Sequence, residues 1–121
     1  MANTFKVVTF AAEPASAGTA YKMYTTAGST TTVILGLILT NIHTTAVTVE
    51  VELVSNTGSR GGANDVTNTT SFLVKDVSIP AGSSLELLSG GKVVMEATDE
   101  IKIDCSVADK LSGTLSIMEI T

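Results

Sequence analysis

From Val47 to Leu53 the apolar residues alternate with Thr48, Glu50 and Glu52, whereas from Val33 to Leu39 no polar side chain interrupts the chain. Side chains of a strand point to opposite faces in turn, so a period of two marks a strand with one buried and one wet face. An unbroken apolar run marks a strand buried on both faces. The run is too short to cross a bilayer as a helix, which takes about 20 apolar residues, and Thr40, Asn41 and His43 end it. Both segments read as strands, and no stretch shows a convincing apolar period of 3.6.

The rest of the chain follows the same grammar. β-Branched residues dominate the periodic segments and Thr is frequent, which suits pleated, half-buried surfaces. Strands are expected over Thr4 to Ala11, Ala20 to Thr25, Thr32 to Thr40, Ala46 to Ser55, Ser71 to Val77, Ser84 to Leu88, Lys92 to Glu96, Glu100 to Val107 and Gly113 to Ile120. Turn-forming clusters at Ala27-Gly28-Ser29, Pro80-Ala81-Gly82-Ser83, Ser89-Gly90-Gly91 and Ala97-Thr98-Asp99 separate them. About nine short strands at this spacing predict an all-β, antiparallel β-sandwich, jelly-roll or immunoglobulin-like. With 121 residues the chain is expected to form one domain, 1–121, with an N-terminal strand or arm over roughly 1–20. The Gly-, Asn- and Thr-rich stretch from Asn56 to Thr70 is expected to be a mobile surface loop.

Charge narrows the partners. The formal net charge is −5, and the seven basic residues are scattered. Phosphate backbones are bound by basic patches that release counterions, so direct nucleic-acid binding is not expected. No membrane segment and no export signal is read, which places synthesis in a cytoplasm. The single Cys105 lies in phase with Ile101, Ile103 and Val107 and reads as a small buried hydrophobe.

A strict alternation puts Val33, Leu35, Leu37 and Leu39 on one face of their strand and Ile34 and Ile38 on the other, with Gly36 between them. If this strand and Val47–Leu53 are hairpin neighbours, Ile34 and Ile38 lie on the outer face of their sheet, close to acidic residues. Leu115 and Ile117 likewise oppose Met118 and Ile120. Large apolar side chains contribute roughly 1.5–3 kcal/mol each when buried, so Ile34, Ile38, Met118 and Ile120 are candidates for packing between subunits. Phe5 in the N-terminal segment and Arg60 in the long loop are candidates for contact with a larger lattice. The competing reading is that Thr4 to Ala11 folds over the same face within one chain.

Catalytic chemistry finds little material. His43, the one histidine, sits in the turn-like Asn41 to Thr45, and a nucleophile would need it as base. One His and one Cys do not make a zinc site. Glu50 and Glu52 share a strand face about 7 Å apart, a spacing a glycosidase could use, yet alternating Thr and Glu is the ordinary solvated pattern. Gly58 to Gly62 lacks the Lys and Ser/Thr of a phosphate loop. Asp65, Asn64 and Asn68 lack the alternating acidic pattern of a calcium loop. Tyr21 and Tyr24 are expected on opposite strand faces, which makes no sugar platform. No catalytic site, metal or cofactor is expected.

The stretch LVKDVSIPAGSSLELLSGGKVVMEATDEIKIDCSVADKLSGTLSIMEIT, with TTTVILGLILTNIHTTAVTVEVEL before it, resembles small virion structural proteins of tailed bacteriophages, over roughly Gly28 to Thr121. The resemblance implies a non-enzymatic subunit present in many copies in the virion and assembled in the host cytoplasm. A homo-oligomeric capsid decoration or cement subunit on the major capsid protein, with a trimer as one form, is the leading expectation. A neck, tail or baseplate component is the alternative, and a carbohydrate-binding host-recognition module a further one.

Overall fold

The computed structural model describes residues 2–56, 69–88 and 91–121. Among the described residues nine strands follow one another: β1 (Asn3–Glu13), β2 (Tyr21–Thr25), β3 (Thr31–Asn41), β4 (Val47–Ser55), β5 (Thr69–Ile79), β6 (Ser84–Leu87), β7 (Val93–Met95), β8 (Glu100–Cys105) and β9 (Leu111–Ile120). They form two antiparallel sheets packed as a sandwich. The first has the order β1-β9-β3-β6, with β7 also pairing β3, and the second β2-β8-β4-β5. Without the short β7 this is the jelly-roll order, in which most connections cross from one sheet to the other.

β3 and β4 are therefore not hairpin neighbours, the condition under which Ile34 and Ile38 were placed on the outer face, but belong to different sheets. The turn between them is held by the buried Asn41. Its Nδ2 donates to the carbonyls of Thr45 and Ile79, both at 2.9 Å, and its Oδ1 accepts the His43 N–H at 2.7 Å. The Asn41 backbone also bonds Ser83 and Gly82, so one residue ties the β3–β4 turn to the β5–β6 turn.

A β-bulge in β3 resets its faces. Ile34 pairs with Ile117 and Gly36 with Ser116, leaving Leu35 as the extra residue. A bulge shifts the phase of alternation by one. Thr32 and Ile34 face the core before it, and Leu37, Leu39 and Asn41 after it. The core between the sheets is completed by Val49 and Val51 of β4, Ile101 and Ile103 of β8, and Leu115 and Ile117 of β9, all fully buried. Cys105 is buried with them.

The N-terminal segment does not fold over a sheet face. β1 is an edge strand, paired along β9 from Asn3↔Ile120 to Glu13↔Leu111. Its Phe10 ring lies on Gly113 of β9, where a side chain would collide with it, and meets the Tyr21 ring edge-on at 5.2 Å. A glycine is needed there because the aromatic ring occupies the Cβ position.

Candidate functional site

The two outer faces of the sandwich differ sharply. On the β2-β8-β4-β5 sheet the outward positions carry Lys22, Glu50, Glu52, Glu100, Lys102 and Asp104, which follows from their pairing with one another across β2, β8 and β4. Glu100 lies 3.4 Å from Lys22 and 3.9 Å from Lys102, and Glu50 lies 2.9 Å from Lys75. These are solvated ion pairs of the usual surface kind.

The other outer face carries a row of apolar side chains set among serines and threonines. Register places Phe5 beside Met118, Met118 beside Val33, and Val33 beside Val94, a single row that crosses β1, β9, β3 and β7. Ile38 lies further along the same face and pairs with Glu86 of β6. Val7 adjoins the row through Ser116. Phe5 is 71% exposed, Val7 62%, Val94 58% and Ile38 42%. These are four of the six large apolar side chains that stand most exposed among the described residues. Cross-strand neighbours of this kind touch one another but leave their upper surfaces in water. Among the described strand residues that face outward here, Glu86 alone is charged. Exposed apolar side chains gathered on one sheet face in this way make that face the candidate contact surface.

The residues expected at subunit or lattice contacts divide accordingly. Ile38, Met118, Ile120 and Phe5 lie on this face, Ile38 and Phe5 exposed and the other two half-buried. Ile34 does not: it is 1% exposed in the core, because the Leu35 bulge turns it inward. Arg60 and most of the Asn56 to Thr70 loop lie outside the described residues, as do Gly58 to Gly62, Asn64, Asp65 and Asn68. Val33, Val94 and Val7 were missed. An isolated glycine inside an apolar strand, Gly36, was the signal for the bulge that brings Val33 outward.

The groups with chemical potential are tied up in structure. A groove of about 340 Å³ is lined in part by Gly18, Thr48, Glu50, Asp104, Cys105 and Ser106. Within it Asp104 Oδ1 accepts the N–H groups of Gly18 and Cys105, at 3.2 and 2.9 Å. Burial pushes the Cys105 thiol up, so it stays a protonated, inert group. His43 is half-buried in its turn, where its backbone N–H serves the Asn41 side chain. Asp99, 2% exposed, accepts the N–H groups of Asn56 and Glu96 at 2.8 and 3.0 Å and fixes the turn before β8. Among the described residues no three or more His, Cys, Asp or Glu side chains converge on a point where a metal ion could sit.

Tyr21 and Tyr24 do share one face, contrary to strict alternation. A bulge at Met23 pairs them with the inward Ile103 and Ile101. That face is the interior, so neither ring offers a platform to a sugar. The Tyr24 hydroxyl donates to Glu119 Oε2 at 2.6 Å and meets Thr32 Oγ1 at 2.7 Å, while Lys6 Nζ lies 2.7 Å from Glu119 Oε1. This polar chain joins the sheets at one end of the sandwich.

No protein-family model matches the chain, and no curated protein matches it. A solved structure described as "Bacillus endospore appendages form a novel family of disulfide-linked pili" is similar in shape, with a TM-score of 0.48 and 16% sequence identity over 99% of this chain and 87% of that one.

Proposed function

We propose that this chain is a non-catalytic structural subunit of a tailed-phage virion, which assembles with copies of itself through the outer face of the β1-β9-β3-β6 sheet. One observation carries the reading: the Phe5–Met118–Val33–Val94 row, with Ile38 and Val7 near it, is a neutral apolar surface on a sandwich whose core is already complete. Covering such side chains returns up to roughly 1.5–3 kcal/mol for each one fully buried, and repetition over a lattice multiplies a weak contact into a stable one.

The sequence resemblance supports the virion, and the negative charge suits a position outside the packaged DNA. The jelly-roll order is found in viral capsid and lectin domains among others, so the fold fits the reading without choosing it. With its one cysteine buried, the chain would be held in an assembly by packing and main-chain pairing rather than disulfides. Decoration of the capsid exterior, on the major capsid protein, is the position proposed. A place in the neck or tail is the second reading, favoured by the long edge strand β1, whose outer backbone groups could pair with a neighbour.

Two measurements test this. Light scattering on the purified full chain is expected to give a reversible oligomer, and a monomer at all concentrations overturns self-assembly. Quantitative mass spectrometry of virions produced with this chain is expected to find it in a copy number close to that of the capsid lattice. A ring's worth of copies places it in the neck or tail, and its absence from particles overturns the virion reading.

A further inference from the structure

The self-assembly reading leaves open what covers the apolar face. We infer that it is the same face of a second copy, brought over by a twofold axis, so that the unit of assembly is a face-to-face dimer. The inference rests on the self-assembly reading and goes beyond it by fixing the occupant and the symmetry.

Three candidate covers are available to a homo-oligomer, and the chemistry of the outer surfaces separates them. In front-to-back stacking the apolar row would meet the charged sheet of the next copy. Lys22, Glu100, Lys102 and Glu52 would then lose water against Phe5, Val33 and Val94, which offer no compensating polar group. Desolvating ions against apolar surface is costly, so this arrangement is disfavoured. Edge-to-edge pairing of β1 with β1 would satisfy backbone groups but leave the row in water. Face-to-face packing sets apolar side chains against apolar side chains and keeps every ion pair of the other sheet outside. Among the described residues the one charged strand residue of the face, Glu86, lies on β6 at the edge of the sheet, at the rim of such a contact.

The size is adequate and no more. The row and its neighbours cover four strand positions, about 19 Å at the spacing of strands in a sheet, and run from Thr31 to Ile38 of β3, about 27 Å at the strand rise. That is roughly 500 Å² on each copy and about 1,000 Å² in all, the lower limit for a specific interface. A contact of that size belongs to the weak, reversible class, and a dissociation constant on the order of micromolar is expected. Sheets packed face to face in this way align their strands within about 30° and interdigitate the facing side chains. A contact that uses the same patch on both copies closes on itself. The charged sheets and both β1 edges of the dimer stay open to other partners.

The test is sedimentation equilibrium on the full chain from about 1 to about 500 μM, a range that brackets this affinity. A monomer–dimer equilibrium is expected. Phe5→Asp and Val94→Asp, at the two edges of the face and both well exposed, are expected to keep the far-UV spectrum and raise the dissociation constant at least about tenfold. Thr48→Trp, which puts a bulky group on the charged sheet, is expected to leave it unchanged. A wild-type monomer throughout the range overturns both this inference and the self-assembly reading, and gives the face to a different macromolecule. A trimer, an open-ended series of species, or weakening by Thr48→Trp equal to that by Phe5→Asp overturns the twofold arrangement while self-assembly stands.

Discussion

The hydroxyl of Tyr24, on the β2-β8-β4-β5 sheet, donates a 2.6 Å hydrogen bond to the carboxylate of Glu119 on the other sheet. Lys6 completes the same carboxylate from the edge strand, at 2.7 Å. The interior of the sandwich thus changes from aliphatic to polar toward one end, next to the end of the outer face that carries the apolar row. Glu119 and Met118 are consecutive residues of β9, one pointing to this polar chain and the other to the proposed contact.

This arrangement makes stability depend on pH. The hydrogen bond from Lys6, then that from Tyr24, holds the Glu119 carboxyl below its ordinary range. A depressed carboxylate contributes stability that is complete above the unfolded value of about 4.3 and is lost as pH falls through the folded one. Burial, then the bond to Glu119, raises Tyr24 above its ordinary value. That contribution is complete below about pH 10 and is lost as pH rises further. Glu119→Gln is expected to cost on the order of 1 kcal/mol at neutral pH, the net worth of a partly exposed ionic hydrogen bond, and to flatten the acid limb. Thermal melts of both proteins between pH 2.5 and 7 check this, and parallel acid limbs would remove Glu119 from the account.

Asn41 presents a different kind of dependence. Its side chain answers a carbonyl and an N–H of the β3–β4 turn and the carbonyl of Ile79 at the end of β5. Asn41→Ala leaves the buried Ile79 carbonyl without that partner, at about 1–3 kcal/mol, and removes the part-buried bonds to His43 and Thr45, at roughly 0.5–1.5 kcal/mol each. A loss of about 2–4 kcal/mol in chemical denaturation is expected. Asn41→Asp should be no milder, since a carboxylate facing two carbonyls replaces donors by acceptors.

At Gly113 the constraint is volume. The Phe10 ring occupies the space of the missing Cβ, so Gly113→Ala is expected to cost about 1–3 kcal/mol through overpacking. The cost should shrink when Phe10 is also replaced by Leu, because the shorter side chain vacates the position. Denaturation of the two single variants and the double one gives the coupling, and additive losses would show that the ring does not set the requirement.

All nine strands were legible in the sequence to within a few residues, because period-two alternation and Gly/Pro turns are local signals. What alternation could not carry was phase across a bulge. Leu35 and Met23 each add one residue, and each moves the side chains beyond it to the opposite face from strict counting. The same error put Ile34 outside and Val33 inside, and separated Tyr21 from Tyr24. The strand order was also out of reach, since β3 and β4 look like a hairpin along the chain and only long-range pairing assigns them to two sheets. The Phe5–Met118–Val33–Val94 row depends on both, joining four strands far apart in sequence.

One pair of substitutions separates the two faces of β3. Ile34 is 1% exposed and Ile38 is 42% exposed, although only three residues lie between them. Ile34→Lys would place an ammonium group in the core beside Ile117 with no partner, a burial that costs several kcal/mol and is comparable to the whole stability of a small domain. Loss of the cooperative unfolding transition is expected. Ile38→Lys puts the same group in water opposite Glu86, where a cross-strand pair of opposite charge returns about 0.2–1 kcal/mol. The melting temperature is expected to stay within a few degrees of wild type while self-association weakens, because the lysine now occupies the apolar face. Circular dichroism melts and sedimentation of both variants decide the matter: equal destabilisation would mean that the Leu35 bulge does not reverse the strand as described.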